Sequence, residues 1–203
     1  MGIAERKERE KVELKTRIMG AARQLFIEKG FENTSMRNIA NLIEYSPGTI
    51  YHYFKDKGEI FHALHAEGFM ELGRRMEVLN SVIDPMERLK AMGKTYYSYG
   101  LENPEMYNLM FIEVAPVEFL EDENNWTEGA MVHGGLRKTV SDCIDAGHFT
   151  GHDLEPLTYM IWSVVHGMVA LKIRRRCEVV PMDQKEDIVE RAYSSFLKML
   201  DDL

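Results

Sequence analysis

Ser46-Pro47, set between two short amphipathic stretches, constrains this chain more than any other feature. Proline has a fixed φ and no N–H, so it fits a helix only in the first turn, where a preceding serine supplies a capping hydroxyl. One helix therefore ends before this pair and another begins at it. Upstream, Met36, Ile39, Ala40 and Ile43 recur at i, i+3, i+4 and i+7, with Thr34 or Ser35 available as the cap. Downstream, Ile50 and Phe54 at i and i+4 point inward, leaving Pro47, Gly48, Thr49, Tyr51, His52 and Tyr53 on or near the other side. Helices this short need a scaffold. Leu14, Ile18, Ala21, Ala22, Leu25 and Phe26 provide one face of a long helix that stops at Gly30.

The outward side of the second short helix carries a hydroxyl, three aromatic rings and a glycine, which a purely structural hairpin does not require. A B-DNA major groove accepts one α-helix, with base edges in reach of its N-terminal residues and phosphates in reach of its N–H groups. The residues expected to face DNA are Thr34, Ser35, Arg37, Ser46, Pro47, Gly48, Thr49, Tyr51, His52, Tyr53, Lys55 and Lys57. Spacing alone leaves open a plain helical hairpin, because the turn at Glu44 and Tyr45 lacks the glycine common in such turns.

From Arg17 to Phe69 the sequence resembles the N-terminal domain of the TetR family of bacterial transcription regulators. The resemblance rests on Leu25, Phe26, Gly30, Phe31, Thr34, Ser35, Ile39 and Ala40, followed by Gly48, Tyr51, Phe54 and Lys57 in the family's order and spacing. Glu44 and Tyr45 stand where the family more often has a small residue and valine, and Gly58 where an acidic residue is commoner. The resemblance implies a helix-turn-helix reading head, a homodimer on a palindromic operator of double-stranded DNA, and repression relieved by a small-molecule effector. A second, shorter resemblance, Trp162, His166 and Gly167 in a Trp-x3-His-Gly pattern, points to one subgroup of TetR C-terminal domains.

The net charge of -8 is unevenly spread. Residues 1–60 carry 11 basic and 9 acidic side chains, leaving 14 and 24 for the rest, so a weakly basic head sits on an acidic body that a duplex repels. The leading RKEREKVELK mixes charges and is read as a solvated helix end that frays, in preference to an arm reaching into a minor groove. No apolar run approaches a membrane span and the N-terminus has no secretory core, so no membrane association and a cytoplasmic location are expected. Cys143 and Cys177 lack CxxC spacing, which favours two free thiols.

Beyond residue 60 the periodicity is helical and no βαβ alternation appears, giving an all-α reading: a head over 1–60 and a larger helical ligand-binding and dimerisation domain over 61–203. Helices are expected toward residue 80, from Asp84-Pro85 to Asn103, over Met106 to Phe111, over 127–146, over 157–176 and over 183–202, with an acidic loop at 115–126. Met160, Ile161, Val164, Val165, Met168 and Leu171, then Ile188, Ala192, Phe196, Met199 and Leu200, form two wide apolar faces suited to a four-helix bundle with a second copy. Candidate effector contacts are Tyr96, Tyr97, Met110, Phe111, Trp126, His133, Trp162 and His166, for a largely apolar ligand. Two alternatives carry less. A metal-responsive regulator would use His148 and His152, or His133 and His166 with a carboxylate; a small all-α enzyme would be built on His166. No catalytic motif is present, and no cofactor, resident metal or enzymatic activity is expected.

Overall fold

The structure, a computed structural model, describes residues 2–113, 127–181 and 187–202. The expected loop at 115–126, with Trp126, lies outside the described residues. Among the described residues every regular element is helical: α1 (Ile3–Lys29), α2 (Met36–Leu42), α3 (Pro47–Tyr51), α4 (Lys57–Glu77), α5 (Pro85–Glu102), α6 (Pro104–Phe111), α7 (Thr127–Asp145), α8 (Leu154–Ile173) and α9 (Ile188–Asp201). They divide into two compact units. One contains the residues up to Gly68 together with Leu109 to Glu113; the other contains Phe69–Asn108 and the described residues from Thr127 onward.

In the first unit, the i, i+4, i+7 pattern of α1 becomes a buried stripe of Ile18, Ala22 and Leu25, closed by Ile39 and Ala40 of α2, Ile50 of α3, and Phe54. Phe26, Phe31 and Phe61 form an aromatic triangle with centroids 5.1 to 5.4 Å apart, the tilted and edge-on packing that ring quadrupoles prefer. Gly30 ends α1 at φ 80° and ψ 162°, a region essentially restricted to glycine that costs other residues about 1–3 kcal/mol, and its N–H returns to the Phe26 carbonyl at 2.9 Å. The leading segment of α1, where charge patterning predicts fraying, is continuous helix from Ile3, with the Gly2 N–H donating to the Glu5 carboxylate at 2.8 Å.

The second unit is built around α5, α7 and α8, with α9 laid against α5 and α8. Its core joins Met86 and Leu89 to Val140, Cys143, Phe149, Leu157, Ile161 and Leu200. Asp84 caps α5 by accepting the Glu87 N–H at 2.8 Å, as the Asp84-Pro85 signal predicts. Tyr193 of α9 donates its hydroxyl to the Lys90 carbonyl at 2.6 Å, over Gly93, which leaves room for the ring. Both cysteines are free.

Helix α8 is long and apolar enough to cross a membrane by length and composition, although Glu155, Ser163, His166 and Lys172 interrupt it, so no unbroken apolar run appears, as the sequence predicts. Its apolar residues serve two faces. Ile161, Val165 and Val169 enter the core, whereas Met160 and Leu171 are 52% and 55% exposed, with Tyr159 and Val164 also open. On α9, Met199 is exposed in the same way.

Candidate nucleic-acid interface

The first short helix is fixed by a reciprocal cap. Ser35 Oγ accepts the Asn38 N–H at 3.2 Å and Asn38 Oδ1 accepts the Ser35 N–H at 3.1 Å, satisfying donors that a helix start leaves open. Arg17 of α1 donates to the Ile43 carbonyl at 3.2 Å and stacks over the Tyr45 ring at 5.2 Å, clamping the turn. Within that turn Glu44 takes φ 62°, the left-handed conformation for which a glycine is the usual choice. The turn forms without glycine by straining one residue.

Ser46 Oγ accepts the Thr49 N–H at 3.2 Å and pairs with the Thr49 hydroxyl at 2.9 Å, so both side chains are held at the N-terminus of α3. The helix is shorter than its apolar spacing predicts. It ends at Tyr51, and the His52 N–H turns to the Thr49 carbonyl while those of Tyr53 and Phe54 turn to Ile50. Ile50 and Phe54 are buried as expected, Phe54 from beyond the helix end. Gly48, Tyr51, at 55% exposure, and His52 are exposed; Pro47, Thr49 and Tyr53 are half-buried; and Ser35, Arg37 and Lys55 are exposed. A Cβ added at Gly48 would meet no atom nearer than Ser46 Oγ at 3.7 Å, so the fold itself does not require glycine there.

Two expected contact residues are engaged inside the unit. Thr34 is only 2% exposed, and its hydroxyl is 3.2 Å from the Leu25 carbonyl and 2.9 Å from that of Gly30, which takes it off the outer surface. Lys57 Nζ donates to the carbonyls of Phe31 at 2.8 Å and Glu32 at 3.3 Å and lies 4.2 Å from the Phe31 ring centroid, leaving one N–H uncommitted among the described residues. Both fasten the end of α1 to its neighbours.

In the second unit, three of the expected effector residues meet in a buried polar node. Trp162 Nε1 donates to the Tyr96 hydroxyl at 3.1 Å, Tyr96 lies 3.0 Å from the Tyr107 hydroxyl, and Tyr107 lies 2.8 Å from His166 Nδ1. Burial pushes the Tyr96 phenol up to about 12 and raises Tyr107 as well, so both remain protonated. The Tyr96 hydroxyl also lies 3.3 Å from His166 Nδ1, so the two phenols and the imidazole share their hydrogen bonds. Burial lowers the His166 pKa and favours the neutral ring. Sequence periodicity does not single out Tyr107, because a tyrosine at a core position looks like packing. The His133 ring flanks Trp162 at 6.0 Å. Tyr97 points away to Tyr193, ring to ring at 5.0 Å. Met110 belongs to the first unit, where its carbonyl meets buried His65 Nε2 at 3.2 Å, and Phe111 follows it there half-buried.

The second unit also holds a half-open cleft of about 450 Å³ that includes none of these residues. Its walls are Phe69, Met70 and Met76 of α4, Met92 of α5, and Met131 and Val132 of α7, with Arg74, Glu77 and Glu128 among its polar lining. Thioether side chains adapt to irregular apolar shapes, so the lining suits a flexible apolar ligand. Among the described residues no three histidine, cysteine or acidic side chains are grouped as a metal site, which counts against both the His148–His152 and the His133–His166 arrangements.

A capped helix-turn-helix with its second helix outward, joined to a larger helical unit, defines a DNA-binding transcriptional regulator. Residues 18–64 match the bacterial regulatory proteins of the tetR family, and residues 89–196 match the tetracyclin repressor-like C-terminal domain. UidR, a transcriptional regulator of Escherichia coli (strain K12), is 44% identical over 50 residues, which span 25% of this chain and about a quarter (26%) of UidR's own length. AcnR, a transcriptional repressor of Corynebacterium glutamicum, is 26% identical over 161 residues, covering 75% of this chain and 78% of that protein. The fold is that of the transcriptional regulator FadR from Bacillus subtilis, solved in complex with stearoyl-CoA, with a TM-score of 0.74 at 22% identity over 91% of this chain and 96% of that one. The chain belongs to the TetR family.

Proposed function

We propose that this protein is a cytoplasmic repressor that binds a palindromic operator as a homodimer and leaves it when a small, largely apolar ligand binds. The observation that carries the DNA reading is the outer surface of the reading head: Tyr51 and His52 are exposed on a turn whose inner residues, Ile50 and Phe54, are buried. Ser35, Arg37, Ser46, Pro47, Gly48, Thr49, Tyr53 and Lys55 surround them and supply phosphate and base-edge contacts, with Lys57 contributing its remaining N–H. Thr34 acts only from behind, by holding the scaffold. Gly48, exposed and without a side chain, lets the backbone approach the groove.

Dimerisation is supported by the open apolar residues of α8 and α9, which a second copy would cover, placing two heads on two half-sites. The functional division proposed is a reading head over 1–60 and an effector and dimerisation half over 61–203, whereas the compact units change over at Gly68 and Phe69. For the effector, the methionine-lined cleft supports an apolar chain, and the fatty acyl thioester bound by FadR is a ligand of that chemistry. The polar node of Tyr96, Trp162 and His166 supplies hydrogen-bonding groups in the same unit.

The test is selection of bound fragments from the source genome by the purified protein at roughly physiological salt, repeated with Tyr51→Ala/His52→Ala. The wild type is expected to enrich one palindromic sequence, and the double variant, dimeric and equally helical, to enrich none. Enrichment of the same sequence by the variant would sink the assignment of the outer surface.

A further inference from the structure

We propose that Arg17 is a positioning residue for the reading head: by holding the chain on either side of Glu44, it sets the angle at which α3 meets the groove, and with it the discrimination between operator and other sequences. The proposal rests on the DNA-binding reading above and concerns geometry, not a further contact with DNA.

Burial along the chain shows where the reading helix needs support. Ile43 and Ile50 are 8% and 0% exposed, and from Glu44 to Thr49 no side chain is buried. Helix α3 packs on α2, and α2 on α1. Ile50 and Phe54 therefore anchor the middle and far end of α3, while packing leaves its N-terminal end without an anchor. The Ser46–Thr49 cap does not supply one, because its bonds lie within the helix start and move with it. The five residues of α3 span about 7.5 Å at 1.5 Å each, so a tilt of about 10° displaces one end against the other by roughly 1 Å. A recognition site has to be held to within about 0.5 Å.

Glu44 makes that end harder to hold. A residue with a Cβ at φ 62° persists only where its surroundings over-determine it. Arg17 constrains both of its neighbours. One guanidinium N–H donates to the Ile43 carbonyl at 3.2 Å, at the end of α2, where helix carbonyls lack intrahelical partners. The same guanidinium lies 5.2 Å from the Tyr45 ring centroid. Among the described residues, no other side chain of α1 makes a hydrogen bond, ion pair or ring contact with residues 43–49, so Arg17 is the direct tie from the scaffold helix to the entry of α3. Only a planar guanidinium stacks on a ring while a fixed N–H reaches a carbonyl; the ammonium of lysine does not.

The experiment compares, by fluorescence anisotropy, the affinity of the full-length protein for the operator recovered by the selection above and for a mixed-sequence duplex of equal length, at roughly physiological salt. Arg17→Lys keeps the charge and the helix propensity, so folding and attraction to phosphate are preserved. It is expected to weaken operator binding at least about tenfold, the cost of about one base contact, while mixed-sequence binding changes less than about twofold. With Tyr45→Val already in place, Arg17→Lys is expected to weaken the operator only about threefold, because partners in one interaction are not additive. An Arg17→Lys variant that keeps wild-type discrimination, or loses operator and mixed-sequence binding in equal proportion, would overturn the positioning role. A full tenfold loss in the Tyr45→Val background would overturn the stacked grip on which it depends. If the wild type enriches no sequence in the selection, the DNA reading falls, and the proposal with it.

Discussion

Glu44 offers a way to separate what the reading head needs for folding from what it needs for DNA. Its φ of 62° places a residue with a Cβ in a conformation that costs about 1–2 kcal/mol. Glycine removes that cost but makes the unfolded chain more flexible by about 0.5–1 kcal/mol, so Glu44→Gly is expected to stabilise the protein by a net ~0.5–1 kcal/mol. At this chain length that raises the melting temperature by roughly 1–4 °C. Glu44→Ala retains the strain and so leaves stability within about 0.5 kcal/mol of wild type. The carboxylate, exposed beside the start of α3, repels phosphate, and both substitutions delete it. Both are expected to bind a mixed-sequence duplex about twofold more tightly at low salt, a difference that fades as screening increases. Circular dichroism melts with fluorescence anisotropy on the same samples read the two effects separately. A glycine variant that melts below wild type would refute the strain argument. An alanine variant with unchanged affinity at low salt would refute the placement of Glu44 near the duplex.

Stearoyl-CoA, as a probe of the cleft, is expected to raise the melting temperature of the wild type by several degrees at about 100 times its Kd, equivalent to about 2.7 kcal/mol. Met131→Glu, at a cleft-lining residue 72% exposed, should fold normally and abolish that shift; an equal shift would move the ligand elsewhere. Acidification tests the polar node. Burial lowers the folded pKa of His166 from about 6.5, so the unfolded chain binds the extra proton first and stability falls as pH drops below about 6.5, levelling off below the folded pKa. In urea titrations from pH 8 to pH 5, wild type should lose ground against His166→Gln over that interval; parallel curves would show that His166 is not held neutral by the fold.

What the sequence discloses, and what it withholds, follows from the range of the forces involved. The Ser46-Pro47 start, the Asp84 cap and the stripe from Ile18 to Phe26 are local matters of proline stereochemistry, capping and a 3.6-residue period, and all appear where those rules put them. The end of α3 is less legible, because Ile50 and Phe54 share a face whether Phe54 sits in the helix or in the turn after it. Polarity alone assigns Thr34 to the surface, yet two carbonyls at the end of α1 satisfy its hydroxyl and offset the cost of burying it. The cleft is invisible in the sequence for a different reason: Met70, Met92 and Met131 come from three helices, and each alone reads as core.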